Sequence, residues 1–171
     1  MKIIFRLNLI FLFFITQTSF GQDTTAIINY SWTNLRTEIQ HRNDIVSSLI
    51  SVISKSKKTD KRLLSQTKSF ATSLFLYIDT LRQIDNVSIS IATKKNNDLT
   101  ESLRNIYIEM AKDQKFNKKH NVPGLNAQLE AVENSIALKK TEYNQTCKKY
   151  NRLDLLFSVP VQTERASEIK F

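Results

Sequence analysis

The chain has few of the residues that interrupt regular secondary structure: its 171 residues include two glycines and two prolines. Strand-rich folds need many tight turns, and tight turns depend on glycine and proline. The sequence therefore predicts an all-α fold. With 41% hydrophobic and 24% charged residues, the composition is that of a folded chain rather than a disordered one, and the length suits one domain.

Cysteine and histidine are also scarce. The single cysteine, Cys147, allows no intramolecular disulfide. His41 and His120 stand too far apart in the sequence to form a metal-binding motif. The sequence has no glycine-rich loop for phosphate and no nucleophile paired with a histidine. We therefore expect no metal, no cofactor and no small-molecule substrate, and we expect that the protein is not an enzyme.

Acidic residues are under-represented, because 16 of them face 25 lysines and arginines, for a net charge of +9. A basic protein favours anionic partners such as lipid headgroups or nucleic acid. The basic residues form three clusters: Lys112, Lys115, Lys118 and Lys119 with His120; Lys139 with Lys140; and Lys148 with Lys149. Such clusters are usually solvated helix faces. The alternative is a contact with anionic lipid, in which each cation contributes about 1 kcal/mol.

The N-terminus has the pattern of an export signal. Lys2 and Arg6 precede an apolar run over residues 7–15, and a small-residue pattern ends at Gly21. This predicts a signal peptide at residues 1–21, cleaved after Gly21, and one helical domain at residues 22–171. A retained membrane anchor is the weaker alternative, because a spanning helix requires about 20 apolar residues. Export predicts a periplasmic or membrane-associated protein of the cell envelope, which argues against nucleic acid as a partner.

Apolar side chains recur at alternating steps of three and four residues, which is the spacing of one helix face. Four segments show it: Ile28 to Ile53, Leu63 to Ile91, Leu99 to Met110, and Leu125 to Phe157. Each has a polar opposite face, so each buries one side in a seam of the coiled-coil type. The pattern predicts an elongated antiparallel four-helix bundle.

Helix starts are predicted from capping residues. Thr59 or Asp60 would cap the second helix, and Asp98 with Glu101 would form a capping box before the third. Asn121 would cap the fourth helix, with Pro123 in its first turn.

Two stretches, "SWTNLRTEIQHRNDIVSSLI" and "LNAQLEAVENSIALKKTEYNQTCKKYNRLDLLFSVP", resemble the opening and closing helices of the LemA family. The residues that match in the first stretch are Trp32, Arg42, Asp44, Ile45, Val46, Leu49 and Ile50. Those that match in the second are Leu125, Leu129, Glu130, Glu133, Asn134, Ile136, Tyr143, Asn144, Tyr150, Asn151, Phe157 and Pro160. The chain departs from the family pattern at Ser47 and Ser48, in its shorter leader and in the loop before the last helix. The resemblance implies a helical bundle outside the cytoplasm, often carried on a short N-terminal membrane segment, with an undefined biochemical role.

The repeated Tyr-Asn step is interpreted first as packing. Tyr143 and Tyr150 occupy seam positions, where an aromatic ring usually belongs to the core. Asn144 and Asn151 lie one step off the seam, where an amide can bond to a neighbouring helix and set its register. The alternative is a ligand groove between helices.

Trp32 and Arg42 lie in the seam of the first helix. Trp32 is expected to be buried. For Arg42 the favoured interpretation is an extended stem whose guanidinium pairs with Glu38, and the alternative is a buried ion pair with Glu133 across the bundle. Asp44 lies two residues after Arg42, in the same stretch that resembles the LemA family.

Two functional hypotheses follow. The preferred one is an exported interaction or scaffold module that binds another envelope protein, or a second copy, through a helix face. The alternative is a membrane-surface or membrane-anchored protein that docks on anionic lipid through its basic face. High salt should release lipid docking but not a packed apolar interface.

Overall fold

The computed structural model describes the backbone of residues 2–81 and 84–158, and side chains from residue 24 onward within those ranges. This part of the chain is helical and contains no strand, which confirms the all-α class. It contains five α-helices, where the sequence predicts four: α1 (Lys2–Ile53), α2 (Lys61–Thr80), α3 (Asn86–Met110), α4 (Gln114–Lys119) and α5 (Val122–Lys149), followed by a 3₁₀ turn (Leu153–Leu155). The predicted signal peptide and its cleavage site lie outside the described side chains.

Helices α1 and α5 form the most extensive pair in the bundle. Near one end Trp32 of α1 contacts Tyr143 of α5, with ring centroids 6.3 Å apart. Ten residues further along α1, Arg42 pairs with Glu133, which lies ten residues earlier in α5, at 3.0 Å. Residue numbers thus increase along α1 as the numbers of their contacts on α5 decrease. The two helices therefore run in opposite directions.

Helices α2 and α3 form a hairpin that packs on α1. Arg36 of α1 bonds Asp79 near the end of α2 at 2.9 Å. Within the hairpin, Thr67 and Ser102 share a hydrogen bond of 2.6 Å, and the Tyr77 hydroxyl donates to the Ser88 carbonyl at 3.3 Å. The core is continuous across all these helices. Its fully buried apolar side chains include Leu35, Val46, Leu49, Ile78, Leu99, Ile106 and Tyr143.

Two helix starts lie where the capping residues predict them. The Asp60 carboxylate accepts the Arg62 amide at 2.8 Å and caps α2. Helix α5 follows Asn121 and has Pro123 in its first turn. Asn121 does not cap through its side chain, however. Its backbone is left-handed, with φ of 53°, a conformation that asparagine tolerates better than most residues.

The predicted boundary between the second and third helices is wrong. Asp98 lies inside α3, where it pairs with Lys94 at 2.8 Å. The break falls instead just before α3, and Asp85 caps the new helix: its carboxylate accepts the Ser88 amide at 2.6 Å, and the Ser88 hydroxyl accepts the Asp85 amide at 2.9 Å. Serine replaces the usual Glu or Gln of a capping box. Apolar spacing continues across the turn because both helices bury a face, so periodicity does not reveal the break.

The last helix is shorter than predicted, since it ends at Lys149 rather than continuing to Phe157. Asn151 adopts a left-handed backbone with φ of 56°. The Arg152 amide then donates to the Cys147 carbonyl at 2.8 Å, and the Asn151 amide to the Lys148 carbonyl at 3.1 Å. This is a Schellman ending. It reverses the chain and returns Phe157 to the core.

Candidate functional site

Three aromatic rings meet between α1, α5 and the segment that follows the 3₁₀ turn. Trp32 stacks on Phe157 with ring centroids 6.0 Å apart and planes 14° apart. Tyr143 meets Phe157 edge-on at 5.4 Å and 67°. Trp32, Tyr143 and Phe157 are 6%, 0% and 4% exposed. Offset and edge-on contacts each contribute about 0.5–1.5 kcal/mol beyond burial. The three rings, called the aromatic cluster below, therefore stabilise one end of the α1–α5 pair.

Asn144 fixes Phe157 in the aromatic cluster. Its amide nitrogen donates to the Phe157 carbonyl at 2.9 Å, and its carbonyl oxygen accepts the Phe157 amide at 2.9 Å. Both halves of the side chain are thus satisfied by one backbone residue. The expected bond from Asn144 to a neighbouring helix is replaced by this clamp on the C-terminal segment.

The two Tyr-Asn steps therefore have different structural roles. Tyr143 and Asn144 are buried and hold the aromatic cluster together. Tyr150 is half-buried at the C-cap of α5, with the Lys149 ammonium 5.4 Å from its ring centroid. Asn151 is exposed and forms the left-handed residue of the helix ending. Of the four residues, Tyr143 and Asn144 belong to the core, and Tyr150 and Asn151 terminate the helix.

The second polar feature of the α1–α5 pair is the bond from Arg42 to Glu133. Arg42 Nη1 lies 3.0 Å from Glu133 Oε1, with the Arg42 side chain 0% and the Glu133 side chain 37% exposed. The pair crosses the bundle, so the favoured pairing with Glu38 is not the one that the structure shows. Arg42 Nε and Nη2 are buried and have no hydrogen-bond partner among the described residues. Asp44 and Asn134 lie exposed on the surface.

Lys140 connects the ion pair to the aromatic cluster. Its ammonium lies 5.9 Å from the Phe157 ring centroid. Burial lowers the pKa of Lys140, and the nearby Arg42 charge lowers it further, while Glu133 acts in the opposite direction. Burial, together with Glu133 and Glu130, raises the pKa of Tyr107 to about 12. The region thus holds two cations near a single ion-pairing carboxylate.

Cys147 lies one turn beyond Tyr143 and is fully buried. Burial raises the pKa of both its thiol and the Tyr143 hydroxyl. A reactive cysteine needs the opposite, a lowered pKa in an exposed and electropositive setting. This arrangement keeps the thiol protonated and favours a packing role for Cys147. Within the described side chains, no group of His, Cys, Asp and Glu is placed to hold a metal ion.

The model of one protein family, the LemA family, matches residues 31–160. The chain belongs to the LemA family. The matched range contains every residue that carries the sequence resemblance, from Trp32 to Pro160. No curated protein matches the chain. Among the residues whose side chains are described, no helix is long and apolar enough to cross a membrane.

In this LemA family protein the predicted basic clusters do not form one face. Lys139 pairs with Glu142 at 2.8 Å, and Lys140 packs over Phe157. Lys148 and Lys149 lie at the C-terminal end of α5. The cluster over residues 112–120 precedes the N-terminal end of α5, about 40 Å away at 1.5 Å of rise per residue. A single basic face along the bundle is therefore not what the fold presents.

Proposed function

We propose that this LemA family protein is a non-enzymatic interaction or scaffold module that is exported to the cell envelope. Its form would be an elongated antiparallel bundle with seams of the coiled-coil type, and its partner another envelope protein or a second copy of the chain. The support is the structural role of the family residues Trp32, Arg42, Tyr143 and Asn144, all of which are buried. Trp32 contacts Tyr143, Arg42 pairs with Glu133, and Asn144 bonds the Phe157 backbone. Such residues stabilise the bundle, and its exposed surface is then available to bind a partner.

The observation that carries the proposal is a group of exposed apolar side chains on the α2–α3 hairpin. Leu76, Val87 and Ile91 are 56%, 61% and 39% exposed. Val87 and Ile91 stand one turn apart on α3, so they share a face. Leu76 lies at the same height on α2, because its neighbour Tyr77 bonds Ser88. Grouped apolar side chains of this kind are typical of interaction surfaces.

Site-specific photo-crosslinking in intact cells tests the proposal. A photoreactive side chain would replace Leu76 or Val87, and the control would carry it at Leu138, which is 56% exposed on α5. We expect the hairpin positions to form a discrete adduct that the α5 position does not form. Equal labelling from all three positions, or no adduct, would argue against a partner on this surface. Persistence of the adduct in high salt would separate it from lipid docking.

Export is a separate part of the proposal. The short apolar run and the small-residue pattern ending at Gly21 support cleavage there. N-terminal sequencing of the native protein should return Gln22. Recovery of Met1 would contradict cleavage and indicate a bundle that keeps its leader.

A further inference from the structure

The fold brings together basic side chains from two segments that are about fifty residues apart in sequence. One segment, residues 54–62, contains the connection from α1 to α2 and the first two residues of α2, and the other, residues 111–120, connects α3 to α5 through α4. We call their combined surface the lysine-rich end. Its exposed cations are Lys55, Lys57, Lys58, Lys61, Arg62, Lys112, Lys115, Lys118 and Lys119.

Asp113 holds the two segments together. Its carboxylate accepts the Ser56 hydroxyl at 3.0 Å and lies 3.9 Å from the Lys58 ammonium. It also caps α4 by accepting the Phe116 amide at 3.4 Å. Ser56 is buried at 2% exposure. The junction is therefore part of the packed fold, and it holds the two lysine-bearing backbone segments next to each other.

The charge of the lysine-rich end is poorly compensated. Residues 54–62 and 109–120 contain nine lysines and arginines against three carboxylates, a local net charge of +6. Each carboxylate is already engaged: Asp60 caps α2, Glu109 pairs with Lys112, and Asp113 holds the junction. Seven of the cations form no ion pair with the described residues, and among them Lys61 donates to the Ser54 and Ser56 carbonyls. The seven are Lys55, Lys57, Lys61, Arg62, Lys115, Lys118 and Lys119.

The side chains of this end suit a lipid surface better than a protein. Stable protein interfaces rely on buried aromatic or apolar anchors. No large hydrophobic side chain in residues 54–62 or 111–120 is exposed. Lysine is a flexible point charge without the geometric specificity of arginine. It therefore matches a diffuse layer of phosphates, and each lysine near an anionic bilayer adds to the binding.

We propose that the lysine-rich end docks on the anionic headgroup surface of a lipid bilayer. This activity goes beyond the protein-partner role proposed above, because it uses the opposite side of the fold from the exposed hairpin residues. The long axis of the bundle would then stand upright on the bilayer. Trp32 would lie about 32 Å above Ile53, at 1.5 Å of helix rise per residue.

Sedimentation with vesicles tests the docking. The full chain would be mixed with phosphatidylcholine vesicles, with and without phosphatidylglycerol, in low and high salt. The end variant carries glutamine at Lys57, Lys115, Lys118 and Lys119. The control variant carries glutamine at four cations that are exposed elsewhere: Lys68, Arg104, Lys148 and Lys149. Both variants lose the same charge, and melting temperatures would verify that both are folded.

We expect the wild type and the control to bind the anionic vesicles in low salt and to be released by high salt. The end variant should bind them more weakly by roughly three orders of magnitude, since four near-surface cations are lost. Equal weakening of both variants would show that net charge alone is responsible and would overturn the proposal. Equal binding to neutral vesicles would also overturn it, because partitioning of the leader would then explain the binding. Binding to soluble polyglutamate without vesicle binding would point to an acidic protein instead.

The single tryptophan reports the orientation. Energy transfer from Trp32 to a headgroup-labelled acceptor lipid should stay weak when the wild type is bound, because the aromatic cluster lies far from the lysine-rich end. Strong transfer would mean that the bundle lies flat on the bilayer, and would reject docking through its end.

Discussion

The α1–α5 pair and the α2–α3 hairpin bury different kinds of side chain. The first buries large groups: an aromatic cluster, an arginine that is fully buried, and an asparagine clamp. The second combines buried aliphatic side chains such as Leu74, Ile78 and Leu99 with small ones, including Ala71, Ala92 and a hydroxyl pair between Thr67 and Ser102 at 2.6 Å. Three large apolar residues of the hairpin, Leu76, Val87 and Ile91, are exposed as well. One pair is therefore specified by particular aromatic, charged and amide side chains, and the other mainly by the packing of aliphatic and small ones.

This difference explains where substitutions should have large effects. A buried ring or a buried charge has few acceptable replacements, because its neighbours cannot fill the space or neutralise the charge. An aliphatic contact depends mainly on volume and shape, so more substitutions are tolerated there. The residues that carry the family resemblance lie on α1, on α5 or in the sequence that follows α5. The predictions below test whether stability is concentrated in that pair.

The largest expected effect is at Trp32. Replacement by alanine removes a ring that contacts both Tyr143 and Phe157, and should lower the free energy of unfolding by about 3–5 kcal/mol. Tyr30 is the matched control, because it lies on the same helix and is 69% exposed. Tyr30→Ala should cost under about 0.5 kcal/mol. Urea unfolding of both variants measures the difference, and similar costs would show that the aromatic cluster is not a centre of stability.

The ion pair should give the next largest effect. Glu133→Gln leaves Arg42 charged and buried, and we expect a loss of about 2 kcal/mol, moderated by the partial exposure of the glutamate. Arg42→Met removes the buried charge, so it should cost less than Glu133→Gln. In the double variant the glutamine no longer faces a charge, and the two losses should not add. A double-mutant cycle in urea would decide this, and strict additivity would show that the pair contributes no coupling.

The two asparagines of the Tyr-Asn steps should differ in the same assay. Asn144→Ala leaves the buried amide and carbonyl of Phe157 without partners, at a cost of about 2 kcal/mol. Asn151→Gly should be neutral or stabilising by under about 1 kcal/mol, since glycine is the preferred left-handed residue at a helix ending. If Asn151→Gly is instead the more harmful substitution, the exposed step is the one that the fold depends on.

The correct predictions rest on local signals, although the local capping box at Asp98 and Glu101 was wrong. The all-α class, the Asp60 cap and the position of Pro123 follow from residues that act within one helical turn. Sequence-based prediction also failed where distant segments meet. The return of Phe157 to Asn144 depends on a left-handed residue between them, and asparagine only permits that conformation.

The lysine-rich end and the Arg42–Glu133 pair could not be predicted from the sequence for the same reason: both join segments that are distant in the chain. Residues 112–120 are visible as a basic cluster in the sequence, but residues 54–62 join them only because Ser56 bonds Asp113. For Arg42 the sequence offers two partners, Glu38 one turn away on α1 and Glu133 across the bundle on α5. Local spacing favoured Glu38, whereas burial of the guanidinium against α5 favours Glu133.

The smallest effect at neutral pH is expected for Tyr143→Phe. The Tyr143 hydroxyl is buried without a nitrogen or oxygen partner among the described residues, so its removal should change stability by under about 1 kcal/mol. At high pH the free energy of unfolding of this variant should rise relative to that of the wild type. Burial raises the pKa of Tyr143, so the folded state keeps a proton that the unfolded state loses above its ordinary pKa of 10.0. Wild-type stability should therefore fall above that pH, by about 1.4 kcal/mol per pH unit for each such tyrosine.

Tyr107 provides the second arm of this experiment, because its pKa is raised to about 12. Its contribution is present below pH 10 and is lost as the pH rises towards 12. Tyr143→Phe and Tyr107→Phe should each make the alkaline decline shallower, and the double variant should make it shallower still. Urea midpoints at pH 7, 10 and 11 would measure these slopes. An unchanged slope in Tyr143→Phe would mean that the ring of the first Tyr-Asn step is open to solvent, and that the contrast between the two steps does not hold in solution.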